Sequence, residues 1–414
     1  MLVPEEQRRF AVEVVRRLRG AGYEAYWAGG CVRDQLLGRP PKDYDVATNA
    51  TPPEIRELFG RRRTLAIGAA FGVITVRGPR AAGMVEVATF RRDAAYSDGR
   101  HPDSVSFSTA AEDASRRDFT INGLFYDPID QRVLDFVGGQ KDLAGRVLRA
   151  IGDPRHRFAE DKLRMLRAVR FAATLNFTLD PDACRAIAEM VAEIHVVSPE
   201  RIAIEMQRML TDANRAVGVQ LLVETSLAAQ VLPEIVPKDD LGQERFRQTL
   251  DCLARLGGDC PFPLALAALL GPFVDAAAAA EVCRRWRLSN QQRDRACWLI
   301  ANRTALADAP TMRWSAVQPL LASEGINDLL QLMDACGPAS GPAVAHCRRL
   351  LAQPPATLNP PPLVTGDDLL AHGIPAGPRY KELLERLRAA QLDAEVQTKA
   401  ESLALADRWL GESE

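Results

Sequence analysis

The chain has 414 residues, more than one ordinary hydrophobic core accommodates, so roughly two to four domains are expected. Its 52 basic and 54 acidic residues leave a net charge of −2, which excludes a protein coated in basic surface, and 47% hydrophobic with 26% charged residues exclude a disordered chain. The eight cysteines form no C-x-x-C pair, which excludes an obvious zinc site or disulfide framework and points to a reducing cytoplasm.

The N-terminal run MLVPEEQRRFAVEVVRRL reads as an amphipathic helix with Pro4 near its start, not as a signal peptide. YEAYWAGG then reads as a strand, GGCVRD as a turn into a helix, and DYDVAT as the next strand. Side chains at i and i+2 of a strand share a face, so Asp43 and Asp45 present two carboxylates side by side. Like charges that close need a cation, and hard oxygen ligands suit Mg²⁺. Gly29 and Gly30 let backbone approach a bulky anion, and Arg33, on the first turn of the helix, is placed to fork onto phosphate oxygens.

Further strands are expected around 72–77, 84–90, 104–107 and 132–135, with helices near 53–59 and 116–125, which makes residues up to about 150 an α+β head with a mixed sheet. GMVEVATF places Glu86 on one strand face with Ala88 and Phe90, between Val85 and Val87. The position suits a strand glutamate facing solvent as well as a third carboxylate beside a pair of metal ions. In such a site one ion activates the attacking hydroxyl and the other neutralises the leaving pyrophosphate. RRDFTIN couples Arg116 and Arg117 to Asp118 at an expected helix start. Arg117 would meet a triphosphate and Asp118 a ribose hydroxyl; the plainer alternative is surface ion pairing.

After Gly152 the periodicity becomes helical. HRFAEDKLRMLRAVRFAATL, PDACRAIAEMVAEI and SPERIAIEMQRML repeat apolar residues at i, i+3 and i+4, and Asp180-Pro181 and Ser198-Pro199 supply helix starts. Within EDKLR, Asp161 and Arg164 stand three residues apart, as neighbours on one helix face. They suit either a surface ion pair or a reader of the Watson–Crick edge of a base, the aspartate accepting from an exocyclic amine and the arginine donating to the ring. Arg167 and Arg170 rotate away from that face, toward phosphate or the head. From Arg146 to Arg170 the sequence holds a local excess of basic residues that suits a polyanion crossing this region. PFPLALAALLGPFVDAAAAAEVC, broken by Pro272 and Asp275, reads as a buried helical hairpin rather than a membrane span. Helical pattern continues to about 352; QPPATLNPPPL, 353–363, reads as a semi-rigid linker, and a short acidic helical tail follows.

The ordered set GGCVRD, DYD, VEVATFR, RRDFTIN and EDKLRMLRAVRF resembles the class II tRNA nucleotidyltransferases, the CCA-adding enzymes and their bacterial poly(A) polymerase relatives. The resemblance covers roughly residues 20–235, and PPLVTGDDLLAHGIPAGPRYKELL is similar to the family's tRNA-facing tail. It implies an α+β nucleotidyltransferase head (1–150) followed by an all-α neck (151–235), body (236–355) and tail (356–414). It also implies untemplated addition of C, C and A to the 3′ end of tRNA, held by its acceptor region, from CTP and ATP with Mg²⁺. Carried over by position, Asp43 and Asp45 are metal ligands and Glu86 the third catalytic carboxylate. Gly30, Arg33 and Arg117 contact nucleotide phosphates, Asp118 the ribose, and Asp161 and Arg164 the base, with Arg167 and Arg170 also at the nucleotide site. RRDAAYSDGRHPDS, 91–104, resembles the flexible loop that full CCA-adding members keep, with Gly99 and His101 inside it. SPERI with Glu205 resembles the last neck motif, although EMQRML departs from the commoner leucine-lysine pattern.

Three alternatives share parts of this pattern. An A-adding enzyme or a poly(A) polymerase uses the same motifs, although the ending ALADRWLGESE lacks the polymerase's basic extension. An inert RNA-binding descendant would have no reason to keep carboxylates at 43, 45 and 86. A small-molecule nucleotidyltransferase would not need the long helical half.

Overall fold

Residues 4–20 form a helix because Phe10, Ala11, Val14, Val15 and Leu18 bury one stripe, Pro4 suits the first turn, and Glu5, Glu6, Arg17 and Arg19 complement the helix dipole. A computed structural model describes this and the rest of the chain over residues 3–93, 105–337, 340–375, 377 and 379–411. The chain divides into two units, Met1–Val236 and Pro237–Glu414.

The first unit begins α1 (Pro4–Gly20), β1 (Ala25–Ala28), α2 (Gly30–Leu36), β2 (Asp45–Thr48), α3 (Pro52–Phe59), β3 (Thr64–Leu65), β4 (Val73–Arg77) and β5 (Met84–Thr89). It continues with β6 (Arg91–Asp93), β7 (Val105–Phe107), α4 (Ala110–Ser115), β8 (Phe125–Asp127), β9 (Arg132–Leu134) and α5 (Gly139–Gly145). Seven strands make one mixed sheet in the order β3-β4-β5-β2-β1-β8-β9, in which only β2 and β5 run parallel. One sheet face, with Trp27, Val46, Ile74, Val85 and Val87 buried, is covered by α1 and α3. The other buries Tyr26, Ala28, Ala47, Phe90 and Phe125 against Ala110 and Ala114 of α4. This α+β head agrees with the sequence reading, with two corrections.

The strand expected from 43 starts only at Asp45, and Asp43 lies in the bend before it. The helix expected over 116–125 is not there: a capping box between Thr109 and Glu112 starts α4 earlier, and Arg116 already ends it. A short 3₁₀ turn, Thr120–Asn122, and β8 follow, so RRDFTIN lies past a helix end rather than at a helix start. The loop 91–104 is framed by antiparallel β6 and β7, while 94–104, with Gly99 and His101, lies outside the described residues.

The unit closes with helices α6 (Pro154–Glu160), α7 (Leu163–Leu175), α8 (Pro181–Met190), α9 (Pro199–Leu210), α10 (Arg215–Glu224) and α11 (Leu227–Val231), and with a parallel pair β10 (Val147–Leu148) and β11 (Thr178–Leu179). HRFAEDKLRMLRAVRFAATL is therefore two helices, not one. Asp161 leaves helical geometry at φ −147°, ψ 106°, and its Oδ1 accepts from Leu163 N, the first residue of the second helix, at 3.1 Å. The basic excess is also neutralised within the fold: Arg149, Arg155, Arg157, Lys162, Arg164, Arg167 and Arg170 all pair with acids.

The described residues of the second unit form helices joined by turns and loops: α12 (Asp240–Arg255), α13 (Phe262–Leu270), α14 (Ala276–Arg285), α15 (Asn290–Asn302), α16 (Trp314–Leu321), α17 (Ile326–Cys336), α18 (Gly341–Leu351), α19 (Pro355–Leu358), α20 (Gly366–Ala371), α21 (Tyr380–Leu392) and α22 (Lys399–Gly411). The apolar stretch is not a self-paired hairpin, because α13 and α14 both pack against α15 instead. α13 is buried along nearly its whole length. The Pro-rich segment is anchored rather than a spacer: Asn359 Oδ1 accepts from Gln318 and Arg388, each at 2.9 Å, and Pro361 O accepts from Gln391 at 2.8 Å. Leu369, Leu383, Leu387 and Ala406 form a small core behind it. Among the described residues, no helix is long and apolar enough to cross a membrane.

Candidate active site

Three neighbouring strands bring the first group together. Trp27 pairs with Val46 in the antiparallel β1–β2 register, so the end of β1 and Gly29 lie beside the start of β2. On the other side of β2, Asp45 is the direct partner of Glu86 in the parallel register. Tyr44 is buried, its ring centroid 4.7 Å from that of Trp27, which leaves Asp43 and Asp45 exposed on the opposite side. Glu86 is exposed as well, between buried Val85 and Val87. The alternation of period two that relates these carboxylates in sequence thus holds across the bend at Asp43.

The electrostatics of this corner are unbalanced. Although Asp45 reaches solvent, the protein packed around its carboxyl removes part of its water, and this desolvation, then the charges of Asp43 and Glu86, raise it to about 6 against the opposing pull of Arg117. Among the described residues, no three acidic, thiol or imidazole groups close into a complete metal cage. Oxygen-only donors with excess negative charge and an open side nevertheless fit a hard divalent cation completed by water or substrate phosphate.

The glycine pair borders the second group. Gly29 has φ +74° and ψ −129°, a conformation that side chains strongly disfavour, and a Cβ there would stand 2.9 Å from Arg117 Nη1. Gly30 opens α2, and a Cβ on it would lie 3.7 Å from Arg33 Nη2. Arg33 is buried; its Nη1 donates to Asn122 Oδ1 at 2.7 Å and its Nε to Asp34 Oδ1 at 2.8 Å. Arg117 donates to Asp113 Oδ2 from Nε and Nη2, at 3.2 and 3.0 Å, and from Nη1 to the Asn122 carbonyl at 3.4 Å.

Asp118 is the junction between head and helices. Its Oδ1 accepts from Phe119 N at 2.8 Å and Asn122 Nδ2 at 3.1 Å, and its Oδ2 from Arg167 Nε at 3.1 Å and Nη2 at 2.6 Å. Burial opposes the charge, but Arg167 and Asn122 hold Asp118 down to about 2. Arg167 Nη1 also lies 3.7 Å from Glu205 Oε1, and buried Glu205 takes the Arg170 guanidinium on its other oxygen. Arg33, Asn122, Asp118, Arg167, Glu205 and Arg170 therefore form one continuous polar chain.

Asp161 and Arg164 do not pair with each other. Asp161 Oδ2 accepts from Arg201 Nη2 at 2.7 Å, whereas Arg164 Nη1 donates to the Arg157 carbonyl at 2.9 Å and pairs with Glu160. The break between α6 and α7 removes the i,i+3 relation that the spacing implied. Asp113 is a support outside every motif of the sequence, whereas Asn122, Glu160 and Arg201 lie inside RRDFTIN, EDKLR and SPERI, where nothing local gave them a role.

A sheet corner with paired carboxylates, a glycine turn and clamped arginines defines a nucleotidyltransferase head. In agreement, residues 25–149 match the family model described as the Poly A polymerase head domain, and residues 176–238 match the probable RNA and SrmB-binding site of polymerase A. The CCA-adding enzyme of Geobacillus stearothermophilus is 34% identical over 95% of this chain and 95% of its own length. That of Geobacillus kaustophilus is also 34% identical, over 97% of this chain and 96% of its own. The Bacillus stearothermophilus CCA-adding enzyme in complex with CTP superposes with a TM-score of 0.77 at 30% identity, covering 100% of this chain and 99% of that one. The Thermotoga maritima CCA-adding enzyme complexed with tRNA shares the fold, with a TM-score of 0.69 at 21% identity over 97% and 95% of the two chains. The chain belongs to the CCA-adding enzyme family.

Proposed function

We propose that this chain adds C, C and A to the 3′ end of tRNA, taking CTP and then ATP, in the cytoplasm, with Mg²⁺ as its ion. The observation that carries the reading is Asp45 opposite Glu86, one strand away from the Gly29–Gly30 turn. In this reading Asp43 and Asp45 hold the metal, and Glu86 adds the third negative charge beside them. Bound Mg²⁺ supplies Lewis-acid activation of the attacking 3′-hydroxyl and charge neutralisation at the pyrophosphate.

The remaining work falls to the protein's own groups. Gly30 leaves room for the triphosphate, and Arg33 and Arg117, held by Asn122 and Asp113, present their guanidinium groups to it. Asp118 serves the ribose hydroxyl by exchanging part of its Arg167 interaction for that donor, so Arg167 and Arg170 stay at the nucleotide site. Asp161 and Arg164 read the base from the two sides of the α6–α7 break. Residues 1–150 act as catalytic head, 151–235 as base-reading neck, 236–355 as body and 356–414 as tRNA-binding tail. The scattered spacing of the eight cysteines, with no C-x-x-C pair, supports a reducing compartment.

The test uses purified protein with tRNA transcripts ending before CCA, ending after CC, and an unrelated RNA, supplied with CTP and ATP singly and together. Full CCA on the first transcript is expected. Extension of the CC-ended transcript alone would identify an A-adding enzyme, and long adenylate tails on any RNA a poly(A) polymerase.

A further inference from the structure

Two thiols of the second unit lie together although 84 positions separate them in the chain. Cys252 on α12 and Cys336, the last residue of α17, place their Sγ atoms 3.4 Å apart. Their surroundings are unequal: Cys252 is buried and Cys336 exposed. Arg255 Nη1 donates to the Ala335 carbonyl at 3.0 Å, which holds its guanidinium next to the end of α17. A hydrogen bond from the Cys252 thiol, working against burial, together with the charges of Arg303 and Arg255, brings the Cys336 thiol down to about 7. The same shared proton, and burial, push Cys252 up. Gly337, at φ +141°, ends α17 directly after Cys336, so the sulfur sits at a helix terminus rather than within a rigid turn.

We propose that Cys252 and Cys336 are an oxidisable dithiol site, with Cys336 the attacking sulfur and Cys252 the resolving one, whose reagents are hydroperoxides. With hydrogen peroxide, the Cys336 thiolate attacks one oxygen, the O–O bond breaks, and the departing hydroxide takes a proton and leaves as water. Cys336 is then a sulfenic acid. Cys252 attacks that sulfur, the S–O bond breaks as S–S forms, and the Cys252 proton leaves with the second hydroxide as water. Two thiols and one peroxide give one disulfide and two waters. The sulfurs need to approach by only about 1.3 Å to reach bonding distance.

The chain supplies its own comparisons. Cys283 and Cys297 also neighbour each other, but burial pushes both thiols up, Cys283 to about 12. Cys260, near Cys252, is buried. Thiolate availability therefore separates one pair from the others.

The experiment oxidises the full-length chain with stoichiometric hydrogen peroxide, blocks the remaining thiols by alkylation, and maps disulfide-linked peptides by mass spectrometry. The expected product is lighter by two hydrogen atoms, carries a Cys252–Cys336 link and reverts with dithiothreitol. Cys252→Ser should leave a dimedone-reactive sulfenic acid at Cys336, and Cys336→Ser should remove the reaction. Iodoacetamide should label Cys336 at least about tenfold faster than Cys283. A link through Cys260, a Cys283–Cys297 link formed first, a disulfide between two copies, or an unresolved Cys336 sulfenic acid in the unmutated protein would overturn the proposal. The unmutated protein is read by itself, so a variant that fails to fold leaves the test intact.

Discussion

Asp45 and Glu86 occupy opposite positions in the parallel pairing of β2 with β5, the only parallel neighbours in the seven-stranded sheet. Adjacent strands in this register hold two carboxylates within reach of one cation. Replacing Asp43 or Asp45 with Ala is expected to lower incorporation of both C and A by at least about a thousandfold while tRNA binding persists. Single-turnover incorporation and a filter-binding assay check this. Loss of one nucleotide alone would contradict the shared role.

Gly29 tests the turn. Alanine there must adopt φ +74° with its Cβ 2.9 Å from Arg117 Nη1, a strain of about 1–3 kcal/mol before any repacking. Gly29→Ala should lower Tm by several degrees and reduce kcat/KM for both nucleotides. Unchanged thermal unfolding would show that the backbone relaxes without cost.

Arg164→Ala should damage the choice among bases more than phosphate transfer, since a good bidentate contact to a base contributes about 1–3 kcal/mol of discrimination. Glu160→Gln, which frees the same guanidinium from its partner, should loosen selection in the same direction but by less. Competition among CTP, ATP, UTP and GTP at equal concentration measures both. A profile unchanged in Arg164→Ala would remove this residue from base recognition.

The Asp118–Arg167 contact predicts a pH dependence. The folded carboxyl sits at about 2, below its ordinary value near 4, so its stabilisation is complete above about pH 4 and is lost as pH falls toward 2. At neutral pH the contribution is about 2 kcal/mol. Denaturant unfolding of the wild type and of Asp118→Asn should differ most near pH 7 and converge in acid. A gap that widens on acidification would reverse the assignment.

Asn122→Ala removes the acceptor for Arg33 and a donor to Asp118 in one step. The expected result is a rise in KM for both nucleoside triphosphates larger than the fall in kcat, with Asn122→Asp unable to rescue because it cannot donate to Asp118. Steady-state kinetics on a CC-ended transcript and on one lacking CCA separate the two parameters.

The sheet corner was legible because strand alternation has a period of two: Asp43, Tyr44 and Asp45, and Val85, Glu86 and Val87, announce which side chains face away from the core. The α6–α7 break was not. HRFAEDKLRML contains neither glycine nor proline, and Asp161 ends one helix where its carboxylate accepts from Leu163 N of the next and from Arg201, forty residues downstream. The helix expected over 116–125 failed for a related reason, since the Thr109–Glu112 capping box set the start earlier than the charged cluster suggested. Charge was the most misleading signal. The arginines of 149–170 read as a surface for a polyanion, yet Asp118, Asp180, Glu189 and Glu205, distant in sequence, come back to neutralise several of them.

Asn359 is gripped from two directions, by Gln318 upstream and Arg388 downstream, while Asp393 Oδ1 and Oδ2 accept from the backbone and hydroxyl of Ser315 at 2.8 and 2.7 Å. A protease nick within 353–363 would consequently release no fragment, since the two pieces stay clasped through α16 and α21. The last sixty-odd residues are a buttress of the preceding helices, and shortening the gene at the prolines would unseat α16 rather than trim an appendage.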